Sequence, residues 1–248
     1  MNTIYILWLR QVKKYFRSRS RIIGSLGQPV LFLVAFGFGF GSMYQKASGG
    51  NYIQFLAPGI ILMSVLFTAI FSGIELIWDR QFGFLKETMV APVPRIHIML
   101  GRTLGGATVA TIQGIIVFLL TLIVGFRPEN LYILPLALLL IFIVGLLFTS
   151  LGTAIASMME DMQGFQLIMN FLVMPIFFLS GALFPLKGLP VVMEYVVKFN
   201  PLTYGVDGVR QTLISLGNFP LAFDFTILGI ITAALLVFGS YIFEKIQA

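Results

Sequence analysis

Six stretches of this chain contain no Asp, Glu, Lys or Arg: 22–45, 47–74, 103–126, 130–159, 162–186 and 225–243. Their lengths are 24, 28, 24, 30, 25 and 19 residues, which together make 150 of the 248. A helix that crosses a bilayer needs about 20 predominantly apolar residues. A charge at the centre of such a helix costs about 2.5–3.5 kcal/mol on insertion scales. A soluble domain of this size needs a charged surface, about a quarter of its residues. Here only 10% are charged and 58% are hydrophobic. The composition therefore excludes an ordinary soluble enzyme and a disordered chain. The runs are too long, and alternate too little, for transmembrane strands of about 10 residues. The fold class expected is all-α and integral to a membrane. Six transmembrane helices are expected at about 22–44, 53–77, 103–126, 132–156, 164–184 and 221–243, forming a single domain over 1–248.

The net charge of +6 is not read as a nucleic-acid signal, because that requires a continuous basic face. The basic residues instead divide between the two sides of the bilayer. Arg10, Lys13, Lys14, Arg17, Arg19 and Arg21 lie before the first run, Arg80, Lys86, Arg95 and Arg102 lie between the second and third, and Lys245 follows the last. Lys46, Arg127, Lys187, Lys198 and Arg210 fall on the opposite side. Short loops rich in Lys and Arg stay in the cytoplasm, so both termini are expected there, in a multi-pass protein of the cell membrane. Trp and Tyr gather near the ends of the runs, as rings with a polar handle do at headgroup depth.

Chemistry is sparse. There is no Cys and a single His, His97, so neither disulfides nor a His-based metal cluster is expected. No G-x-x-x-x-G-K-[ST] phosphate loop occurs. Gly37, Gly39 and Gly41 follow no strand and read as helix-packing positions, as do Gly145 and Gly152 with Ser150 and Thr153. Pro175 is expected to kink the fifth span. Glu75 lies near one end of the second span and is read as reaching the interface or pairing with Arg80; Asp224 lies similarly at the start of the sixth. Glu160 and Asp161 are adjacent but read as lacking partners.

Two segments are too long to be plain connectors. In the leader 1–21, Ile4, Trp8, Val12 and Phe16 repeat at helical spacing opposite Arg10, Lys13, Lys14 and Arg17, which predicts an amphipathic helix on the inner leaflet. In 78–102, Phe82, Leu85 and Met89 mark one apolar face of a short helix. Glu87 and Thr88 sit off that face, and Pro92 and Pro94 end it. Outside, 185–220 is interrupted by Pro190 and Pro201, and Val191–Val197 and Val206–Leu216 read as short helices on or dipping into the outer leaflet.

At these places the sequence resembles the permease subunits of type-2 ABC exporters. The likeness rests on Arg80, Gly83, Leu85 and Glu87, then Ala91-Pro92-Val93-Pro94-Arg95 and Gly101-Arg102. It continues in F-L-S-G-A-L-F-P-L at 178–186 and N-P-L-T-Y-G-V-D-G-V-R at 200–210. One departure is Ala91-Pro92 where the family usually has Thr-Pro. The resemblance implies that 80–91 contains a coupling helix seated on a separate ABC ATPase, with Arg80, Gly83, Phe84, Leu85, Glu87, Thr88, Pro92 and Arg95 at that contact. It implies that the leader also touches the ATPase and that a second permease subunit, identical or related, completes the transport path. It also implies an outer gate made of Phe184, Pro185, Asn200, Pro201, Tyr204, Asp207 and Arg210. The expected function is export of a hydrophobic or amphiphilic molecule such as a drug, lipid or glycan-linked lipid. No catalytic residue and no cofactor are expected in this chain, since ATP and Mg would sit on the ATPase. The alternative is an ion-coupled secondary transporter. It is disfavoured because no run carries a titratable group near its midpoint.

Overall fold

The computed structural model describes residues 3–48, 50–85, 93–129, 131–186, 188 and 190–244. The described residues form helices and no strands. In chain order these are α1 (Thr3–Arg17), α2 (Arg19–Gly39), α3 (Gly41–Ser48), α4 (Tyr52–Phe71), α5 (Ile74–Gln81), α6 (Arg95–Val124), α7 (Leu134–Ser157), α8 (Met162–Phe178), α9 (Val191–Phe199), α10 (Pro201–Ile214) and α11 (Leu221–Glu244). A single 3₁₀ turn, Leu131–Ile133, precedes α7.

Five of the described stretches are long and apolar enough to cross a membrane: Arg19–Gly39, Tyr52–Gln81, Arg95–Val124, Leu134–Ser157 and Leu221–Phe243. The fifth expected span, 164–184, differs: α8 is an apolar helix of 17 residues that stops at Phe178. At 1.5 Å per residue it spans about 26 Å, a little under the hydrocarbon thickness of about 30 Å. Pro175 lies in its last turn, and the chain leaves the helix there rather than continuing past a kink. The first span also ends early, at Gly39, with α3 continuing beyond Phe40. The third begins at Arg95, eight residues before its charge-free run.

Helix ends are set by local chemistry. Asn51 caps α4 by accepting from Ile53 N at 2.9 Å, and Asp161 caps α8 by accepting from Gln163 N and Gly164 N at 3.2 and 2.6 Å. Side-chain acceptors of this kind satisfy the orphan amides of a first turn. Gly125, at φ 115°, closes α6 in the left-handed region where glycine pays no steric penalty.

The centre of the bundle is α4, whose residues are almost all buried, flanked by α6 and α7. α1 lies lengthwise along α6 and runs in the same direction. Ile4 and Leu7 meet Gly101, Trp8 and Gln11 meet Gly105, and Tyr15 reaches Gln113. α2 and α8 each bury only one stripe, Pro29, Leu33 and Gly37 on one, and Phe165, Met169, Val173 and Phe177 on the other. That four-residue spacing is one edge of a helix; the remaining surface is apolar and uncovered within this chain. Of the glycines expected to pack, Gly37 meets Ile53, Gly145 meets Ala107 and Gly152 meets Ile70, whereas Gly39 and Gly41 face open space.

The tightest joint links the α4–α5 break to α7. A Cβ on Gly73 would lie 2.5 Å from the Gly152 carbonyl oxygen, and one on Gly152 would collide with the Ile70 carbonyl. Two backbones touch here with no room for a methyl group. Gly152→Ala should lower stability by about 1–3 kcal/mol, the usual cost of overpacking, read as a fall in melting temperature in detergent. Gly229→Ala, with nothing within 4 Å of the added atom, should leave it unchanged.

Candidate functional site

The charged side chains of the bundle collect at its two ends. At the Arg-rich end the organising element is α5. Its two carboxylates, Glu75 and Asp79, stand one helical turn apart and are 5% and 6% exposed. Asp79 accepts a bidentate pair from Arg10, at 3.0 and 2.9 Å, and a further bond from Arg102. Glu75 is bridged by Lys14 at 3.3 Å and by Arg21. Arg10 and Lys14 are also one turn apart, so two short ladders of opposite charge face each other in opposed order. Arg102 is 4% exposed, and its charge is tolerable there only because Asp79 neutralises it. Ring faces add to the same node: Arg10 lies 3.8 Å from the Phe84 centroid and Lys14 5.5 Å from that of Trp78. Such contacts favour the cation through the ring quadrupole.

Two expectations are corrected here. Glu75 pairs with Lys14 and Arg21, not with Arg80. Arg80 instead donates to Glu160 at 3.0 Å, and Gln81 Nε2 donates to the Glu160 carbonyl at 3.0 Å. Glu160 and Asp161 therefore both have partners, one an ion pair and the other the cap of α8. The signal for the α5 node was present in the sequence as two i, i+4 pairs, Arg10/Lys14 and Glu75/Asp79, but nothing in the sequence says that they face each other.

Beyond α5 the chain turns at Phe82 and Gly83, the latter at φ 77°, and Leu85 is fully buried. Phe82 is 82% exposed, so Phe82 and Leu85 do not share one face. The left-handed residue between them breaks the helical phase. Glu87, Thr88 and Pro92, with Met89, lie outside the described residues, as does the second half, 86–91, of the expected coupling helix 80–91. Arg95 opens α6.

The leader is tied to α6 by two hydrogen bonds. Trp8 Nε1 donates to Thr108 Oγ1 at 2.9 Å and Tyr15 Oη donates to Gln113 Oε1 at 2.5 Å. Burial pushes the Tyr15 phenol above its ordinary pKa, and the nearby Arg21 charge pulls it partly back. Gln113 is the polar side chain buried midway along α6, and the leader supplies its partner.

At the opposite end α10 is the organising element. Asn200 caps it, accepting from Leu202 N at 3.0 Å, while its Nδ2 donates to the Ile176 carbonyl of α8 at 2.6 Å. Pro201 occupies the first turn, where its missing N–H costs nothing. Tyr204 Oη donates to the Lys198 carbonyl at 2.8 Å. Asp207, 1% exposed, accepts from Asn218 N, Asn218 Nδ2 and Phe219 N between 2.7 and 2.9 Å. Arg210, 4% exposed, donates to the Phe55 carbonyl at 3.3 Å and the Gly181 carbonyl at 3.0 Å, with its guanidinium 3.9 Å from the Phe55 centroid. One side chain thus joins α10, α4 and the turn after α8. Arg210 and Pro185 line one cleft of about 470 Å³; Phe184 and Pro185 line an apolar one of about 210 Å³ beside Tyr52. The structure brings all seven expected gate residues to this end.

Here α9 and α10 differ in depth. α9 is mostly exposed, and Lys198, paired with Glu194 at 2.8 Å, is held above its ordinary pKa by that carboxylate. α10 is almost wholly buried. Asp224 lies against it, fully buried with no hydrogen-bond partner on either carboxylate oxygen, which the reading of an interfacial acid did not anticipate. His97 is exposed.

Apolar helices long enough to span, with charged groups sorted to the two ends, define a multi-pass membrane protein. The family model described as ABC-2 type transporter matches residues 2–214, and the chain belongs to that family. It is similar to Nodulation protein J of Rhizobium leguminosarum bv. viciae, 30% identical over 197 residues, covering 78% of this chain and 74% of that protein. Nodulation protein J of Rhizobium leguminosarum bv. trifolii is 29% identical over 214 residues, 85% of this chain and 78% of that one. Inner membrane transport permease YadH of Escherichia coli K12 is 26% identical over 233 residues, 92% of this chain and 89% of the relative.

Breaking the α5 node should be costly. Asp79→Ala leaves the buried Arg102 without its counter-ion and should destabilise by about 3–5 kcal/mol, the range for an orphaned buried charge. Replacing both, Asp79→Leu with Arg102→Met, should recover much of that loss. Melting in detergent reads both. At the other end, Arg210→Ala strands two carbonyls and should cost about 1–3 kcal/mol; Lys198→Ala, which removes only an exposed pair, should leave the melting temperature nearly unchanged.

Proposed function

We propose that this chain is the membrane-spanning subunit of an ATP-driven exporter, working with a separate ABC ATPase and a second permease subunit. The Arg-rich end faces the cytoplasm of the cell membrane, with both termini there. The ATPase seats on 80–91 through Arg80, Gly83, Phe84, Leu85, Glu87, Thr88, Pro92 and Arg95. The observation that carries this reading is the bonding of α5. The helix that leads directly into that segment is ion-paired to α1, α2 and α6, and through Arg80 to Glu160 before α8. A push on residues 82–95 is then delivered to several helices at once as rigid-body movement. ATP and Mg belong to the ATPase, and this chain carries no chemistry of its own.

At the outer end, Phe184, Pro185, Asn200, Pro201, Tyr204, Asp207 and Arg210 form the gate. Their bonds join α10 to α4, α8 and the turn at 179–186, so the gate moves with the helices the ATPase drives. The uncovered apolar edges of α2 and α8 accept the second subunit. A hydrophobic or amphiphilic cargo fits walls of this composition. The ion-coupled alternative loses support because Glu75, its titratable candidate, is held by two cations.

The test is reconstitution of the chain with its ATPase in proteoliposomes. Glu87→Arg should abolish ATP-dependent transport while ATP turnover and membrane insertion persist. Unimpaired transport in that variant would sink the coupling assignment, and transport driven by a proton gradient without ATP would sink the exporter reading itself.

A further inference from the structure

The α1–α2 elbow contains a groove that none of the foregoing uses. It has a volume of about 950 Å³, within the range of about 300–1,000 Å³ typical of ligand sites. Its walls carry Arg10, Lys13, Lys14, Arg17 and Arg19, and no acidic side chain lines it. Arg10 and Lys14 are already bound to Asp79 and Glu75. Lys13, Arg17 and Arg19 are exposed and make no ion pair, hydrogen bond or ring contact among the described residues. Five positive charges therefore share one concavity, three of them uncompensated.

The groove also has an apolar wall. Ile6 and Leu9 line it, and on the adjoining face of α1 Tyr5 and Phe16 are 50% and 57% exposed. A soluble anion would have no use for such a wall. Arg10 and Lys14 line the groove while bonded to α5, which puts it at the charged end of the bundle, where α2 begins its span. Charge and apolar surface side by side there match the two parts of a lipid. Clusters of Lys and Arg on an amphipathic helix attract anionic lipid, each cation adding to the attraction.

We propose that this groove binds an acidic phospholipid, its phosphate held by Lys13, Arg17 and Arg19 and its acyl chains laid along Ile6 and Leu9. The bound lipid neutralises charges that the α5 node leaves over. It thereby fixes the angle between the leader and α2.

The experiment is native mass spectrometry of the full chain. The protein is equilibrated in mixed micelles holding equal amounts of phosphatidylglycerol and phosphatidylcholine of one chain length. The chain should retain phosphatidylglycerol over phosphatidylcholine by about fivefold or more. Lys13→Gln/Arg17→Gln/Arg19→Gln should bring the ratio to parity, while Lys13→Arg/Arg17→Lys/Arg19→Lys should keep it. If the neutral triple variant does not yield folded protein, Arg17→Gln and Arg19→Gln singly should each lower the ratio about twofold. Excess inorganic phosphate should not displace the lipid; displacement would mean a site for the bare anion and would overturn the proposal. Equal retention of both lipids by the unmodified chain would overturn it too. So would a neutral variant that keeps its lipid preference but no longer associates with the ATPase, since the groove would then be a protein contact. None of these outcomes bears on whether the chain transports with ATP.

Discussion

The pairing of two carboxylates with four cations at the Arg-rich end is the interaction on which the architecture depends. A bilayer drives charge out of its core, so a chain this apolar can place its few ions only at the ends of its helices. There they remain partly dehydrated, and each must find a counter-ion or shift its helix toward water. Glu75 and Asp79 meet that demand for α1, α2 and α6 together. The leader is held at a fixed register along α6 because Arg10 and Lys14 can meet both carboxylates in only one alignment. Asp79 also neutralises the buried Arg102, so one carboxylate ties the leader and α6 to α5.

The remainder of the bundle divides into a close-packed centre and two loosely held edges. The end of α4 and α7 meet through backbone contacts that allow no added atom at Gly73 and Gly152, and α6 packs against both helices. α2 and α8 touch the rest along single stripes. A centre of this kind resists deformation, since protein interiors are packed at crystal-like density. The edges can change position at much lower cost in buried contacts. The polar ties at the far end bridge the two classes: Asn200 links α8 to α10, and Arg210 links α10 to α4.

The spanning helices were legible because charge exclusion is a property of composition, which survives without any knowledge of packing. Their ends were less so. α6 begins at Arg95, inside a segment that reads as a connector, because a charged residue can continue a helix past the bilayer as long as its own partner is at hand. α8 stops at Phe178 although the apolar run continues to Leu186, because after Pro175 the chain turns and Ser180 and Gly181 take non-helical roles. The expected coupling and gate residues stand in the sequence as family motifs, which carry no geometry. Helical spacing put Phe82 and Leu85 on one face, and a single left-handed glycine separates them. Glu160 looked isolated because its partner is 80 residues away in sequence. Asp224 looked interfacial because an acid at a helix start usually is; the short outer helix was expected at Val206–Leu216 but begins at Pro201, and nothing in the sequence says that it lies over Asp224.

The bond between Tyr15 and Gln113 has a consequence for how the molecule is made. The two residues are 98 positions apart, and Trp8 and Thr108 are 100 apart. Synthesis proceeds from the N-terminus at about 5–20 residues per second, so the leader exists for seconds before its docking surface does. During that interval its buried stripe, Leu7, Gln11 and Tyr15, has no protein to lie against, and the membrane interface is the surface open to it. When α6 arrives it brings a glutamine into the bilayer with no partner on its own helix. The leader and α6 thus each hold what the other lacks, and neither polar pair can close until both segments have been made.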